Sequence, residues 1–210
     1  AAELGLTEIY KMGGAQSVFA LAYGTETVPK VDLISGPGNI YVTIAKKMVY
    51  GTVNIDMLAG PSEILIIADK NADPVFLAAD MMSQAEHDVL ARSILVTDSV
   101  ELMDEVEEEL KRQIQSLSRK DIIEKALTSY GAFILADNIN EACQVSNIIA
   151  PEHLELMVDH PFDLISKIEN AGAIFMGKYT PEPVGDYYAG PNHILPTGGT
   201  ARFYSPVTVD

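Results

Sequence analysis

Residues 63–88, "EILIIADKNADPVFLAADMMSQAEHD", read as one strand followed by one helix, and their junction decides the fold class. "EILIIAD" (63–69) is a continuous apolar run rather than an alternating one, the pattern of a strand buried on both faces. Asp73 then stands where an N-cap belongs and Pro74 at the first helical position, so a helix is predicted over 74–87. Leu77 and Met81 lie on its apolar face, but the same stripe continues as Gln84 and then His87. A core-facing stripe thus ends in two polar side chains at i, i+3 spacing, which face the same way. They read either as a polar helix end meeting solvent or as two ligands for a borderline cation such as Zn²⁺, which needs further partners from elsewhere.

The same alternation of short β-branched runs and helices extends along the chain. Strands are expected at "EIYKM" (8–12), "VDLIS" (31–35), "TVNID" (52–56), "SILVT" (93–97), "AFILA" (132–136), "LELMV" (154–158) and "AIFMG" (173–177). Between many of them sit helices: "AQSVFALAYG" (15–24), "IYVTIAKKMVYG" (40–51), an acidic amphipathic helix from Ser99, and "NINEACQVSNIIA" (138–150). This order argues for an α/β fold with parallel sheets covered by helices. The stretch from Lys178 to Ser205 has no clear period and is crowded with Pro and Gly, yet its Tyr, Ile, Leu and Phe content argues for an ordered, functional loop.

The 210 residues fit one large or two smaller domains and carry 48% hydrophobic and 21% charged residues, ordinary globular values. A net charge of −16 repels nucleic acid and anionic membrane surfaces, so neither is an expected partner. No apolar run approaches a membrane span, and no signal peptide is expected. The single cysteine, Cys143, excludes an internal disulfide framework and suits a reducing compartment. It falls mid-helix among apolar neighbours, so it reads as a buried inert thiol and gives a covalent thiol mechanism little support. The first residues, without Met, and the final "SPVTVD" suggest a piece of a longer protein.

Further polar groups stand where chemistry could use them. "GGAQ" (13–16) and "GPGN" (36–39) each open a helix, where glycine lets a ligand approach and free N–H groups favour an anion. Neither is GxGxxG, and on spacing alone both read as tight βα turns. Glu152 and His153 in "APEHLEL" precede a strand, where an exposed polar turn and an acid–base pair are both open readings. Asp186 and His193 lie in the late loop, within reach of a metal held by Gln84 and His87 or simply solvated. His160, before Pro161, reads as a surface or capping residue.

Taken together, "GGAQ", "GPGN", "DMLAGPSEILIIAD" (56–69), "SQAEHD" (83–88), "APEHLEL" (150–156) and "GPNHILPTGGTARF" (190–203) closely resemble the histidinol dehydrogenase family, in its order and with its spacing, from about residue 5 to residue 205. The resemblance implies two similar incomplete Rossmann-like α/β domains with parallel sheets flanked by helices: 1–64 carrying NAD-contact loops, and 65–205 carrying the zinc and catalytic residues. It implies a cytoplasmic, homodimeric enzyme that uses Zn²⁺ and two NAD⁺ in succession to oxidise L-histidinol through L-histidinaldehyde to L-histidine. Gln84, His87 and Asp186 resemble zinc ligands, with a fourth, a His, contributed by the other subunit. Glu152 and His153 resemble the catalytic pair, and Gln16 and Asn39 the NAD contacts. Ser62 and His193 resemble substrate contacts, which Gln84, His87, His153 and Asp186 share. Family members carry further N- and C-terminal segments, which hold the fourth ligand and a substrate-binding Glu. The resemblance therefore implies a fragment with impaired activity. A zinc hydrolase and a binding piece without turnover are the alternatives.

Overall fold

In the computed structural model, which describes residues 2–208, every strand pairing is parallel. The chain divides into two compact units, Ala1–Gly60 and Pro61–Asp210. The boundary near residue 64 implied by the resemblance would fall inside a strand that opens at Glu63.

The first unit holds helix α1 (Ala15–Tyr23), strand β1 (Leu33–Ile34), helix α2 (Ile40–Val49) and strand β2 (Asn54–Ile55). β1 and β2 form a two-stranded sheet, and Val18, Ala22, Ile34, Ala45, Val49 and Val53 make a small core around it. The strand expected at 8–12 is absent: Ile9 is 65% exposed and no ladder pairs the segment. A strand exists only by pairing, so β-branched composition alone does not make one.

The second unit carries β3 (Glu63–Ala68), α3 (Pro74–Ala85), β4 (Arg92–Thr97) and α4 (Val100–Gln113). It continues with α5 (Lys120–Tyr130), β5 (Ala132–Leu135), α6 (Ile139–Ile149), β6 (His153–Met157), β7 (Ala173–Met176) and a single turn α7 (Glu182–Val184). The sheet order is β5-β4-β3-β6-β7, so the direction of winding reverses between β3 and β6. α5 has no counterpart among the helices read from the sequence. The run 178–205 is less irregular than expected, since α7 continues into a π-helical turn at Gly185–Ala189 and a 3₁₀ turn forms at Thr200–Arg202. His160 caps a 3₁₀ turn only by position, with no side-chain cap bond, and is exposed.

β3 is the centre: all six of its residues are buried, as its unbroken apolar run predicts. Ile64, Ile66 and Ala68 face α3 through Leu77 and Met81, while Leu65 and Ile67 face α6 through Ala142 and Cys143. Register carries this division into β6, where Leu65 pairs Leu154 but Ile64 pairs His153 and Ile66 pairs Glu155. Paired residues of a parallel ladder share a face. The sheet face under α3 therefore continues, on β6, as a histidine and a glutamate. Among the described residues no helix is long and apolar enough to cross a membrane.

Candidate active site

α3 forms where expected because Asp73 accepts the Val75 N–H at 2.9 Å and Pro74 stands at the first position. It stops at Ala85, two residues short of the expected end. His87 N–H reaches back only to Gln84 O, and Asp88 accepts the Leu90 N–H at 2.9 Å, turning the chain into β4. Gln84 is 1% exposed, and its Oε1 has no partner among the described residues, whereas His87 reaches solvent. A buried amide oxygen without a donor costs about 1–3 kcal/mol unless something binds it.

Glu152 and His153 are not an exposed turn. They sit at the amino end of β6, 7% and 3% exposed, and the peptide groups of Glu63 hold both of them. The Glu63 N–H donates to Glu152 Oε2 at 2.8 Å, and the Glu63 carbonyl lies 2.9 Å from His153 Nδ1. A nitrogen facing a carbonyl must donate, so the neutral ring carries its proton on Nδ1 and leaves the Nε2 lone pair free. Nε2 has no hydrogen-bond partner among the described residues; Glu182 Oε1 stands 3.8 Å away. Burial lowers the His153 pKa, against the pull of the Glu63 carbonyl and the Asp186 charge, while His87 and His193 lower it further. Burial pushes Glu152 up to about 8, opposed by the Glu63 N–H and assisted by the charges of Glu63, Glu182 and Asp186.

The late loop closes over this pair. His153, Glu182 and Asp186 each place a ligand atom within 4.8 Å of the others. Glu182 was not among the residues read from the sequence; its spacing of four from Asp186 is the signal that could have found it. Burial, with the Asp186 charge, pushes Glu182 up to about 8. The structure thus brings Asp186, His87 and His193 each within electrostatic reach of His153, with Gln84 one turn before His87. Ser62 lies at the start of β3 beside Glu63, and its carbonyl accepts the Arg92 N–H at 3.0 Å. Cys143, on the sheet-facing side of α6, is 1% exposed, its thiol pKa raised by burial.

Gln16 and Asn39 belong to the first unit. Gly14 takes a φ of 75°, and a Cβ there would meet the Gln16 Oε1 at 2.9 Å, so the amide of Gln16 folds over the glycine. α1 has no side-chain cap, which leaves its first N–H groups to water or an anion. Asn39 caps α2 by accepting the Tyr41 and Val42 N–H groups, at 3.1 and 3.2 Å, a structural duty the sequence reading did not assign. Below it, Lys46 pairs with Asp56 and donates to Gly36 O at 3.0 Å, while Asp56 accepts the Gly36 N–H at 2.8 Å. That buried pair fixes the "GPGN" loop.

Comparison with known proteins places these residues in a lineage. The family model described as histidinol dehydrogenase matches residues 1–210. The histidinol dehydrogenase of Clostridium acetobutylicum is 61% identical over 206 residues, covering 98% of this chain and 48% of the relative. That of Carboxydothermus hydrogenoformans is 58% identical over 210 residues, covering 100% and 49%. The crystal structure of histidinol dehydrogenase from Elizabethkingia anophelis superimposes with a TM-score of 0.94 at 44% identity, covering 99% of this chain and 48% of that one. The chain spans about half the length of the curated relatives it matches. With the whole of its own length matched by the family model, the chain belongs to the histidinol dehydrogenase family.

Proposed function

We propose that the full-length protein oxidises L-histidinol through L-histidinaldehyde to L-histidine in the cytoplasm as a homodimer, using zinc and two NAD⁺ in succession. The observation that carries this reading is the pair held by Glu63: a buried neutral imidazole with a free Nε2, beside a buried carboxyl with a pKa of about 8. One group accepts protons at neutral pH, and the other becomes a base only as pH rises.

The residues present fit both groups the family uses. The orphaned Oε1 of buried Gln84, the His87 imidazole and the Asp186 carboxylate together offer a mixed N/O donor set suited to Zn²⁺, a fourth ligand coming from the other subunit, although of the three only Asp186 belongs to the cluster with His153 and Glu182. When bound, zinc would orient the substrate's amino and imidazole nitrogens and polarise the reacting centre. In the first unit, the uncapped start of α1 with Gln16, and the clamped loop at Asn39, suit an anionic dinucleotide.

His153 Nε2 takes the alcohol proton in the first oxidation, for which a bound NAD⁺ would supply the hydride acceptor, giving the aldehyde. Water then adds to that aldehyde: Glu152 accepts the proton that the water gives up, and His153 returns its own proton to the carbonyl oxygen, giving the neutral hydrate and freeing Nε2. His153 removes the proton of that hydrate in the second oxidation, for which the second NAD⁺ would supply the hydride acceptor, leaving the acid. His193 and Ser62 hold the substrate. This route needs no thiol, consistent with Cys143 lying on α6, against the other face of the sheet.

The test is NADH formation by the full-length protein supplied with L-histidinol, expected at two equivalents per histidinol and abolished by a chelator. His153→Ala should cost at least about 10²-fold in kcat. Turnover unchanged by both His153→Ala and Glu152→Ala would overturn the assigned roles, and turnover without a nicotinamide cofactor would point to hydrolysis instead.

A further inference from the structure

Glu155 stands in mid-strand on β6, 1% exposed, on the face that α3 covers. A carboxyl there is costly unless its oxygens are satisfied. Its Oε1 accepts the backbone N–H of Glu182 at 2.8 Å. That N–H opens α7 and has no partner within its own helix. Its Oε2 has no hydrogen-bond partner among the described residues, and the carboxyl of Asp80, 8% exposed on α3 one turn before Gln84, lies close enough to act on Glu155 electrostatically. Burial raises both carboxyls, so the pair can share one proton. Asp80, Glu155 and the Glu182 N–H therefore link the three elements that carry the site: α3 with Gln84 and His87, β6 with His153, and the turn with Glu182 and Asp186.

We propose that Glu155 is a positioning residue: seated against Asp80, its carboxyl grips the Glu182 N–H and sets the 182–186 turn at the distance from α3 and His153 that lets Asp186 bind the metal. The inference rests on the zinc reading above, but its local part, the clamp on α7, does not. Among the described residues Glu155 is the acceptor of the Glu182 N–H, and Pro181 and Pro183 on either side leave that amide as the local handle.

The test uses the full-length protein and two readouts: zinc affinity by competition with a chelating indicator, and amide hydrogen exchange of the peptide spanning 178–190 in zinc-free protein. Glu155→Leu removes the acceptor at similar volume, whereas Glu155→Gln keeps a carbonyl for Glu182 and an amide for Asp80. Glu155→Leu should weaken zinc binding and speed exchange in that peptide by about tenfold each, leaving β3 and β4 protected. Glu155→Gln should stay within about threefold of the parent protein. Parent-like zinc affinity in Glu155→Leu, or a Gln variant as impaired as the Leu variant, would overturn the proposal. If Glu155→Leu does not fold, Glu182→Pro against Glu182→Ala decides, since both lose the carboxylate and only proline loses the N–H. Equal zinc affinities for those two would also overturn it. Asp186→Asn separates the layers: if it leaves zinc binding unchanged, the metal reading fails, while the exchange data still judge the clamp.

Discussion

Glu152→Gln should make the metal-free protein more stable, by an amount that grows with pH. The folded carboxyl has a pKa of about 8 against an ordinary 4.5, chiefly because burial disfavours its charge. Between those values the folded chain holds a proton that the unfolded chain has released, so stability falls as pH rises, by about 1.4 kcal/mol per unit. This contribution is fully present below pH 4.5 and is lost as pH passes 8, a total of about 5 kcal/mol. Glutamine is neutral throughout, and its carbonyl can still accept the Glu63 N–H that Glu152 Oε2 accepts at 2.8 Å. The variant should therefore match the parent at pH 4.5, exceed it by about 3 kcal/mol at pH 7 and by about 5 kcal/mol above pH 8. Urea unfolding of chelator-treated parent and variant at pH 5, 7 and 8.5 measures this. A difference that stays constant across the three pH values would refute the reasoning, because it would place the Glu152 carboxyl near its ordinary pKa. The same substitution should stop the reaction after the first hydride, since the hydration step loses its base.

Three further outcomes follow from the packing. Gly172→Ala puts a Cβ 2.5 Å from the Glu152 carbonyl and 3.2 Å from Pro196 Cδ, and because backbone cannot step aside it should cost about 2 kcal/mol or more, read from the denaturant midpoint. Gly185→Ala places its Cβ 2.7 Å from Phe175 Cε1, and the Phe175 ring lies 6.0 Å from that of His153. A displaced Phe175 should lower kcat of the full-length protein about tenfold, and a parent-like kcat would show that the ring does not support His153. Cys143→Ala should leave turnover within about threefold, and native protein should resist iodoacetamide, because the thiol is 1% exposed with its pKa raised by burial; a hundredfold loss would bring a thiohemiacetal route back.

How far the sequence carried the reading depends on what each residue's partners were. β3, α3 with its cap at Asp73, and the helix that starts from Ser99 were legible because a buried strand and a helix start are written locally. "EIYKM" misled because its apolar content was equally local while its pairing was not. α5 went unread because it begins at Lys120 without a side-chain cap, only a few residues after the 3₁₀ turn Ile114–Ser116 that follows α4, with no Gly or Pro to mark the start. The site divided in the same way. Gln84 and His87 stood out as polar groups on an apolar stripe, and Glu152–His153 as an acid beside a base. Asp80, Glu155 and Glu182 were not singled out from the sequence, since what buries them is the contact of α3, β6 and a loop far apart in the chain. Glu155 did leave one trace, a carboxylate inside the strand "LELMV", at a position whose neighbours are covered on both faces.

The position of the site on the sheet also explains why residues were a better guide than fold. In a doubly wound sheet, ligands usually settle at the carboxyl ends of the strands where the order reverses. Here that reversal lies between β3 and β6, and its carboxyl edge is closed by the protein's own groups. Asp69 accepts the Asp159 N–H at 2.7 Å, Asn71 donates to Asp159 Oδ2 at 2.7 Å, and Lys178 donates to Asp159 Oδ1 at 2.8 Å. The candidate groups occupy the opposite, amino edge of the same two strands. Glu63 is the first residue of β3, one step beyond the point where its ladder with β6 begins, so its N–H and C=O are free of that ladder. Those two groups, set by the strand itself, orient Glu152 and His153 together. An acid and a base aligned by the backbone of one strand residue keep their relative geometry whatever side chain stands at position 63. Placing chemistry at this edge thus takes its precision from the most deeply buried strand of the sheet.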